Sequence, residues 1–291
     1  MSTLILAIGF GLVTASVLAI AAVGLTLQVG VTNLVNFAFA DFLTLGAYLA
    51  WSMNVGWHLN FWLAAALASL SVGAVAVAAN IFVIRPFLRR RTPLVFLLIV
   101  TIGLSLILGN LNLAIWGSGY RSFDLPSQQP IHVGPMQFTS DQFLIIGISY
   151  AAMLGIRLLL SRTKLGKAMR SMSDSVELAR ASGIDTDRVT HVVWMLSGTL
   201  AGLAGVVLAL NLTTFDTGLG ANILFVIFAA MILGGVGSPS GAILAAVVLG
   251  LATEVSAVVV NSAYKNDIAF LALVAVLLIR PQGIVRMAGK N

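Results

Sequence analysis

SRTKLGKAMRSMSDSVELARASGIDTDRVT, residues 161–190, is a polar island in an otherwise oily chain of 291 residues. It carries six of the sixteen basic residues and four of the ten acids. Leu165, Ala168, Met169 and Met172 fall at i, i+3, i+4 and i+7, one stripe of a helix. Asp174 and Glu177 stand in the D-x-x-E spacing of a capping box for a second short helix, and Gly183 is placed to end it. The expected element is a pair of short amphipathic helices exposed to the cytoplasm and able to dock on another protein. Periodicity alone fits a solvated loop that merely sets topology equally well.

What surrounds the island reads as membrane. The chain is 59% hydrophobic and 9% charged, with a mean hydropathy of +1.03; a soluble domain carries about a quarter charged residues. Several apolar runs have the roughly 20-residue length that crosses a bilayer. The fold class is therefore all-α, a polytopic membrane helical bundle forming one domain over residues 1–291. The net charge of +6 comes from loops between spans, the positive-inside pattern, and does not indicate nucleic acid. There is no cysteine, and His58, His132 and His191 show no ligand spacing, so neither a metal nor another cofactor is expected. MSTLILAIGF lacks a basic n-region and reads as a retained first span.

Leu4–Leu27 is the first expected span. Gln28–Trp51, QVGVTNLVNFAFADFLTLGAYLAW, is interrupted by Gln28, Gly30, Asn33, Asn36 and Asp41. Such residues survive at bilayer depth where they face protein or a wet cavity. This is the first candidate for a broken, pathway-lining helix. Phe61–Ile84 crosses next and ends at Arg85-Pro86 and the cluster Arg89, Arg90 and Arg91, which argues for a cytoplasmic turn. Pro93–Trp116 crosses back, Gly117–Asp141 is an outer loop, and Gln142–Leu160 returns. His191–Leu212 contains Gly198-x-x-x-Gly202, a close-approach motif whose more economical reading is packing within the bundle. Ile223–Leu233 is too short to cross alone and runs into Gly234-Gly235-Val236-Gly237-Ser238-Pro239. Gly241–Val260 holds Glu254, and a last span, about Tyr264–Ile279, puts the C-terminus in the cytoplasm. The count is eight or nine, with one glycine-interrupted element on either side of the island, the arrangement that points to a transport pathway.

No catalytic constellation appears. HExxH is absent, Gly237–Gly241 reads G-S-P-S-G with proline where a nucleophile belongs, and there is no phosphate loop. Two intramembrane acids remain. Asp41 and Glu254 would cost about 2.5–3.5 kcal/mol each facing lipid, on an insertion scale for Asp. Either lines a pathway or accepts hydrogen bonds from neighbouring hydroxyls and amides; the first suits Asp41, beside Asn33 and Asn36, and the second suits Glu254. Phe39, Gly234 and Gly235 complete the pathway candidates.

Four stretches together carry a family resemblance: GLTLQVGVTNLVNFAFADFLTLGAYLA (24–50), TKLGKAMRSMSDSVELARASGIDTDRV (163–189), ILGGVGSPSGAILAAVVLG (232–250) and LLIRPQGI (277–284). The chain resembles the permease subunits of bacterial ABC importers for branched-chain amino acids, the LivH type. The resemblance implies a multi-pass protein of the bacterial inner membrane that is not itself an enzyme. Glu177, Leu178, Ala179, Arg180, Gly183 and Ile184 would form the coupling segment that seats in an ATPase subunit. The partners implied are two ATP-binding subunits, a periplasmic solute-binding protein and a second, related permease, favouring a heterodimer over a homodimer. Where the family commonly has NFAHGE this chain has Asn36-Phe37-Ala38-Phe39-Ala40-Asp41, a departure that leaves the expected solute open between a branched-chain amino acid and a related small polar compound. Two other classes remain open: an ion-coupled secondary transporter using Asp41 or Glu254, and an assembly subunit with no pathway.

Overall fold

The structure, a computed structural model, describes residues 2–90, 92–125, 131–133, 136–259 and isolated positions between 267 and 278. Apart from those isolated positions, the last expected span and the terminal LLIRPQGI lie outside the described residues, as do the C-terminal orientation and Arg91.

The described chain is a bundle of helices: α1 (Ser2–Thr32), α2 (Phe39–Trp51), α3 (Phe61–Ala79), α4 (Arg85–Arg89), α5 (Leu94–Trp116), α6 (Ser140–Arg162), α7 (Lys164–Asp174), α8 (Val176–Ala181), α9 (Thr186–Leu212), α10 (Leu219–Gly234) and α11 (Pro239–Val259). A π-helical turn, Ser52–Gly56, extends α2, and another, Asn80–Ile84, joins α3 to α4. One two-stranded antiparallel hairpin, Ile131–Val133 with Met136–Phe138, interrupts the loop between α5 and α6.

Six described helices are long and apolar enough to cross a membrane: Leu6–Thr32, Phe61–Arg89, Leu94–Trp116, Ser140–Arg162, Thr186–Leu212 and Pro239–Val258. The expected total of eight or nine also takes in α2 and α10, of 13 and 16 residues, and a last span outside the described residues. Several boundaries move. The first span runs five residues past Leu27 to Thr32, and α9 starts at Thr186, not His191. Helical structure also continues through Arg85-Pro86 to Arg89, because Pro86 stands in the first turn of α4, where a missing backbone N–H is tolerated.

Helix α1 is the axis, its side chains from Ala15 to Val29 almost all buried, with α11 antiparallel along it. Gly250 faces the backbone of Ala15, and a Cβ at Gly11 would meet Leu251 at 3.0 Å. On the other flank α9 packs against α2 and α3. Gly198 faces Gly73 and Ala76, and Gly202 faces Ser69 and Val72, so the glycine motif is used inside the bundle. Helices α5 and α6 turn most of their side chains outward, Phe96, Ile99, Leu106, Ile107 and Leu158 among them; all-round apolar helices at the rim of a membrane bundle are solvated by lipid.

The two ends differ in charge. At one, Arg85 and Arg89 both pair with Asp187, which brings the basic turn and the polar island together. At the other, Arg121 and Phe215 exchange backbone hydrogen bonds of 2.8 and 2.9 Å, and the Arg121 guanidinium lies 4.8 Å over the Trp51 ring.

Candidate functional site

Both interrupted elements are broken helices. Between α1 and α2 the chain leaves the helix at Asn33, whose φ of +52° is left-handed, a conformation asparagine tolerates better than most residues. Freed backbone groups at this depth need partners. Asn36 supplies one: its Oδ1 accepts the Ala38 N–H at 3.1 Å. Fully buried, it also donates through Nδ2 to Gln28 Oε1 at 3.5 Å, an oxygen that accepts Ser197 Oγ–H at 3.2 Å. Phe39 is buried in the core, its ring edge 3.4 Å from the position a Cβ on Gly24 would take.

Asp41, in the first turn of α2, accepts a hydrogen bond from Ser105 Oγ on α5 at 2.5 Å. Gly109, one turn further along α5, leaves room for this carboxylate, since a Cβ there would stand 3.0 Å from Oδ1. Thr101 completes the stripe, its hydroxyl bonding the Val35 carbonyl at 3.4 Å. Thr101, Ser105 and Gly109 were missed by the motif reading. Their i, i+4, i+8 spacing in an apolar helix is the signal that could have found them.

The second break, residues 235–238, separates α10 from α11. Gly235 and Gly237 have φ of +99° and +83°, which glycine adopts without a Cβ clash. Ser238 Oγ accepts the Gly241 N–H at 3.2 Å and caps α11, with Pro239 at its first position. Gly234 closes against Gly241. A Cβ on Gly30 would lie 3.0 Å from Gly237 Cα and 3.6 Å from Ser173 Oγ. The two breaks thus meet beside the end of α1, next to α7. The start of α10 is pinned as well: Thr44 Oγ1 accepts the Gly220 N–H at 3.0 Å, and Gly220 lies against the Ala40 carbonyl.

Asn33, Asn36, Gly234 and Gly235 are therefore brought to one end of the bundle. Asp41 and Glu254 do not share a site. Glu254 accepts a hydrogen bond from Thr14 Oγ1 at 3.0 Å on α1, the hydroxyl partnership that suits its spacing, whereas Asp41 faces α5.

The polar island forms two short helices. Met169 and Met172 of α7 are buried against the bundle, with Leu165 and Ala168 packed beside them. The cap of α8 differs from the expected one. Asp174 is the last residue of α7, and Ser175 is the N-cap, its Oγ accepting the Leu178 N–H at 3.3 Å. Asp174 and Glu177 make no capping box because the helix break falls one residue later. Gly183 does end α8: its φ is +82°, its N–H bonds the Arg180 carbonyl at 3.0 Å, and the Ile184 N–H bonds Ala179 at 3.1 Å, a Schellman closure. Within this turn Ala179 is buried, Ile184 half-buried, and Glu177, Arg180 and Gly183 are exposed. Leu178 stands 70% exposed.

A cavity of about 730 Å³ separates this segment from the end of α1, its walls including Thr32, Asn80, Arg85, Arg180, Asp187 and His191. Arg180 donates to Thr186 Oγ1 at 3.0 Å, and Asn80 and His191 are hydrogen-bonded at 3.0 Å. With Arg85 and Arg89 held by Asp187, the cavity has polar, cross-linked walls that connect the Asn80–Ile84 turn, α4, α8 and α9. Among the described residues no cluster of side chains could hold a metal ion.

The family described as branched-chain amino acid transport system / permease component matches residues 7–279. The permease LivH of the high-affinity branched-chain amino acid transport system of Escherichia coli K12 is 28% identical over 94% of this chain and 93% of its own. BraD of Pseudomonas aeruginosa, a permease of the same kind of system, is 30% identical over the same shares. LivM of Salmonella typhimurium, another permease protein of such a system, is 26% identical over 91% of this chain and 66% of its own. With the matched region running from the first helix almost to the end of the sequence, the chain belongs to the permease components of branched-chain amino acid transport systems.

Proposed function

We propose that this membrane permease subunit of an ABC importer carries branched-chain amino acids, or a related small polar solute, along a path beside the two helix breaks. ATP hydrolysis takes place on two separate ATP-binding subunits, which grip α8 from the cytoplasm. A periplasmic binding protein delivers the solute, and a second, related permease completes the bundle as a heterodimer. The existence of LivM beside LivH as named permease proteins supports a pair of unlike subunits.

The observation that carries the reading is the union of an exposed α8 with both breaks at one end of the bundle. The end holding α8 is rich in cations, which the positive-inside rule assigns to the cytoplasm. Leu178 offers an uncovered apolar side chain there, on a turn fixed by Ser175 and Gly183. Movement of α8 would pass through Arg180–Thr186 to α9 and through Asp187–Arg85 to α4. Coupling needs an interface whose free energy differs between the two states of the motor, since a contact equal in both shifts nothing.

Reconstitution tests this. Liposomes holding the chain with its ATP-binding subunits, its companion permease and the binding protein should take up solute only with ATP inside. The chain alone should take up none, with or without a proton or sodium gradient. Gradient-driven uptake by the chain alone would instead establish the ion-coupled carrier, with Asp41 or Glu254 as coupling group.

A further inference from the structure

At the cation-rich end, α6, α7 and α11 enclose two adjoining cavities of about 580 and 300 Å³ that share Leu160, Arg170 and Pro239. The larger is walled by hydrocarbon, including Val23, Met153, Ile156 and Ile243, and carries Arg157 and Arg170. Its surroundings open sideways: Leu244 is 53% and Leu158 50% exposed, on the surface that faces lipid in a bundle of this kind. The groove is therefore open to a molecule in the bilayer.

The charges say what kind of molecule that is. Arg157 lies five residues before the end of α6 at Arg162, about 7.5 Å inside the helix terminus at 1.5 Å per residue. A side chain so placed lays its stem on apolar surface and sends the guanidinium to the interface. Both arginines are exposed, and among the described residues neither pairs with a carboxylate; the ion pairs there are those of Arg85 and Arg89 with Asp187. The one acid lining either cavity is Asp174, in the smaller, and it forms no ion pair with Arg170. Two guanidiniums capping a hydrocarbon groove at interfacial depth match an amphiphile with a negative head.

We infer that this groove binds an anionic phospholipid, its phosphate bridging Arg157 on α6 and Arg170 on α7 and one acyl chain lying between α6 and α11. Because Arg170 belongs to α7, the headgroup ties the polar island to the bundle. Lipid in this site braces the α7–α8 segment against which the soluble partner pulls. Binding can be read without any transport, so it stands or falls separately from the proposed function.

The test uses the full chain in nanodiscs of phosphatidylcholine, titrated with acyl-labelled phosphatidylglycerol. The unmodified protein retains the anionic lipid. At about fivefold per cation near an anionic surface, Arg157→Gln and Arg170→Gln each weaken retention about fivefold, and the double variant about 25-fold. The Arg157→Lys/Arg170→Lys variant keeps most of it. Leu244→Trp, which fills the groove and leaves both charges, also loses it, with the thermal midpoint in phosphatidylcholine confirming that each variant is folded. Equal retention by the double glutamine variant overturns the proposal. So does equal retention of labelled phosphatidylcholine, or displacement by inorganic phosphate alone, which would mark a site for free anions.

Discussion

Replacing Leu178 with alanine isolates the contact on which coupling is proposed to depend. Leu178 is 70% exposed and its backbone is fixed from both sides, by the Ser175 cap and the Gly183 closure. Fully burying a leucine contributes about 1.5–3 kcal/mol relative to leaving it in water. Covering the exposed 70% with an ATP-binding subunit is then worth about 1–2 kcal/mol. That corresponds to a roughly 5–30-fold loss of affinity for the subunit in Leu178→Ala. The variant should lose little else, since most of the side chain is uncovered in the free permease. The assay is a binding titration of the ATP-binding subunits against permease in nanodiscs, with the thermal unfolding midpoint measured on the same samples. Unchanged affinity in a variant with an unchanged midpoint would refute the assignment of α8 as the gripping element. A lowered midpoint would show that Leu178 is already covered within the bundle.

Three further outcomes follow from other parts of the structure. Gly205→Ala should destabilise the bundle by about 1–3 kcal/mol, because its Cβ would press on the Leu43 backbone carbonyl; Gly103→Ala, which meets nothing within 4 Å, should leave the thermal midpoint unchanged or slightly raised. Gly183→Ala forces a side chain into φ +82° and should cost about 1 kcal/mol or more locally, seen as reduced solute-stimulated ATPase activity with membrane insertion intact. Asp187→Asn removes the partner of Arg85 and Arg89, but at 26–65% side-chain exposure of the three groups the loss of stability should stay under about 1 kcal/mol; its effect should appear as ATPase activity less tightly tied to uptake in vesicles.

Fold class and the place of the polar island were legible because they depend on composition and local periodicity. Runs of apolar residues must cross a bilayer as helices, since no other open structure satisfies the backbone there. The i, i+3, i+4, i+7 stripe of Leu165 to Met172 returned as the packed face of α7, and Gly183 ended α8 because only a residue tolerant of positive φ can close a helix that way. The cap was misplaced by one residue because Asp174 and Ser175 are both good caps, and the turn between α7 and α8 chooses between them. Long-range partners were not legible at all. That Ser105 meets Asp41, Thr14 meets Glu254 and Ser197 meets Gln28 depends on which helices become neighbours, and so does the convergence of Gly30 and Gly237 that joins the two breaks. The sequence by itself determined a membrane bundle with a charged segment at one end, because solvation by lipid or water acts on each residue where it stands. Only the tertiary structure decided which polar groups satisfy one another, because that pairing is made by side chains up to 240 positions apart on helices whose packing no local pattern encodes.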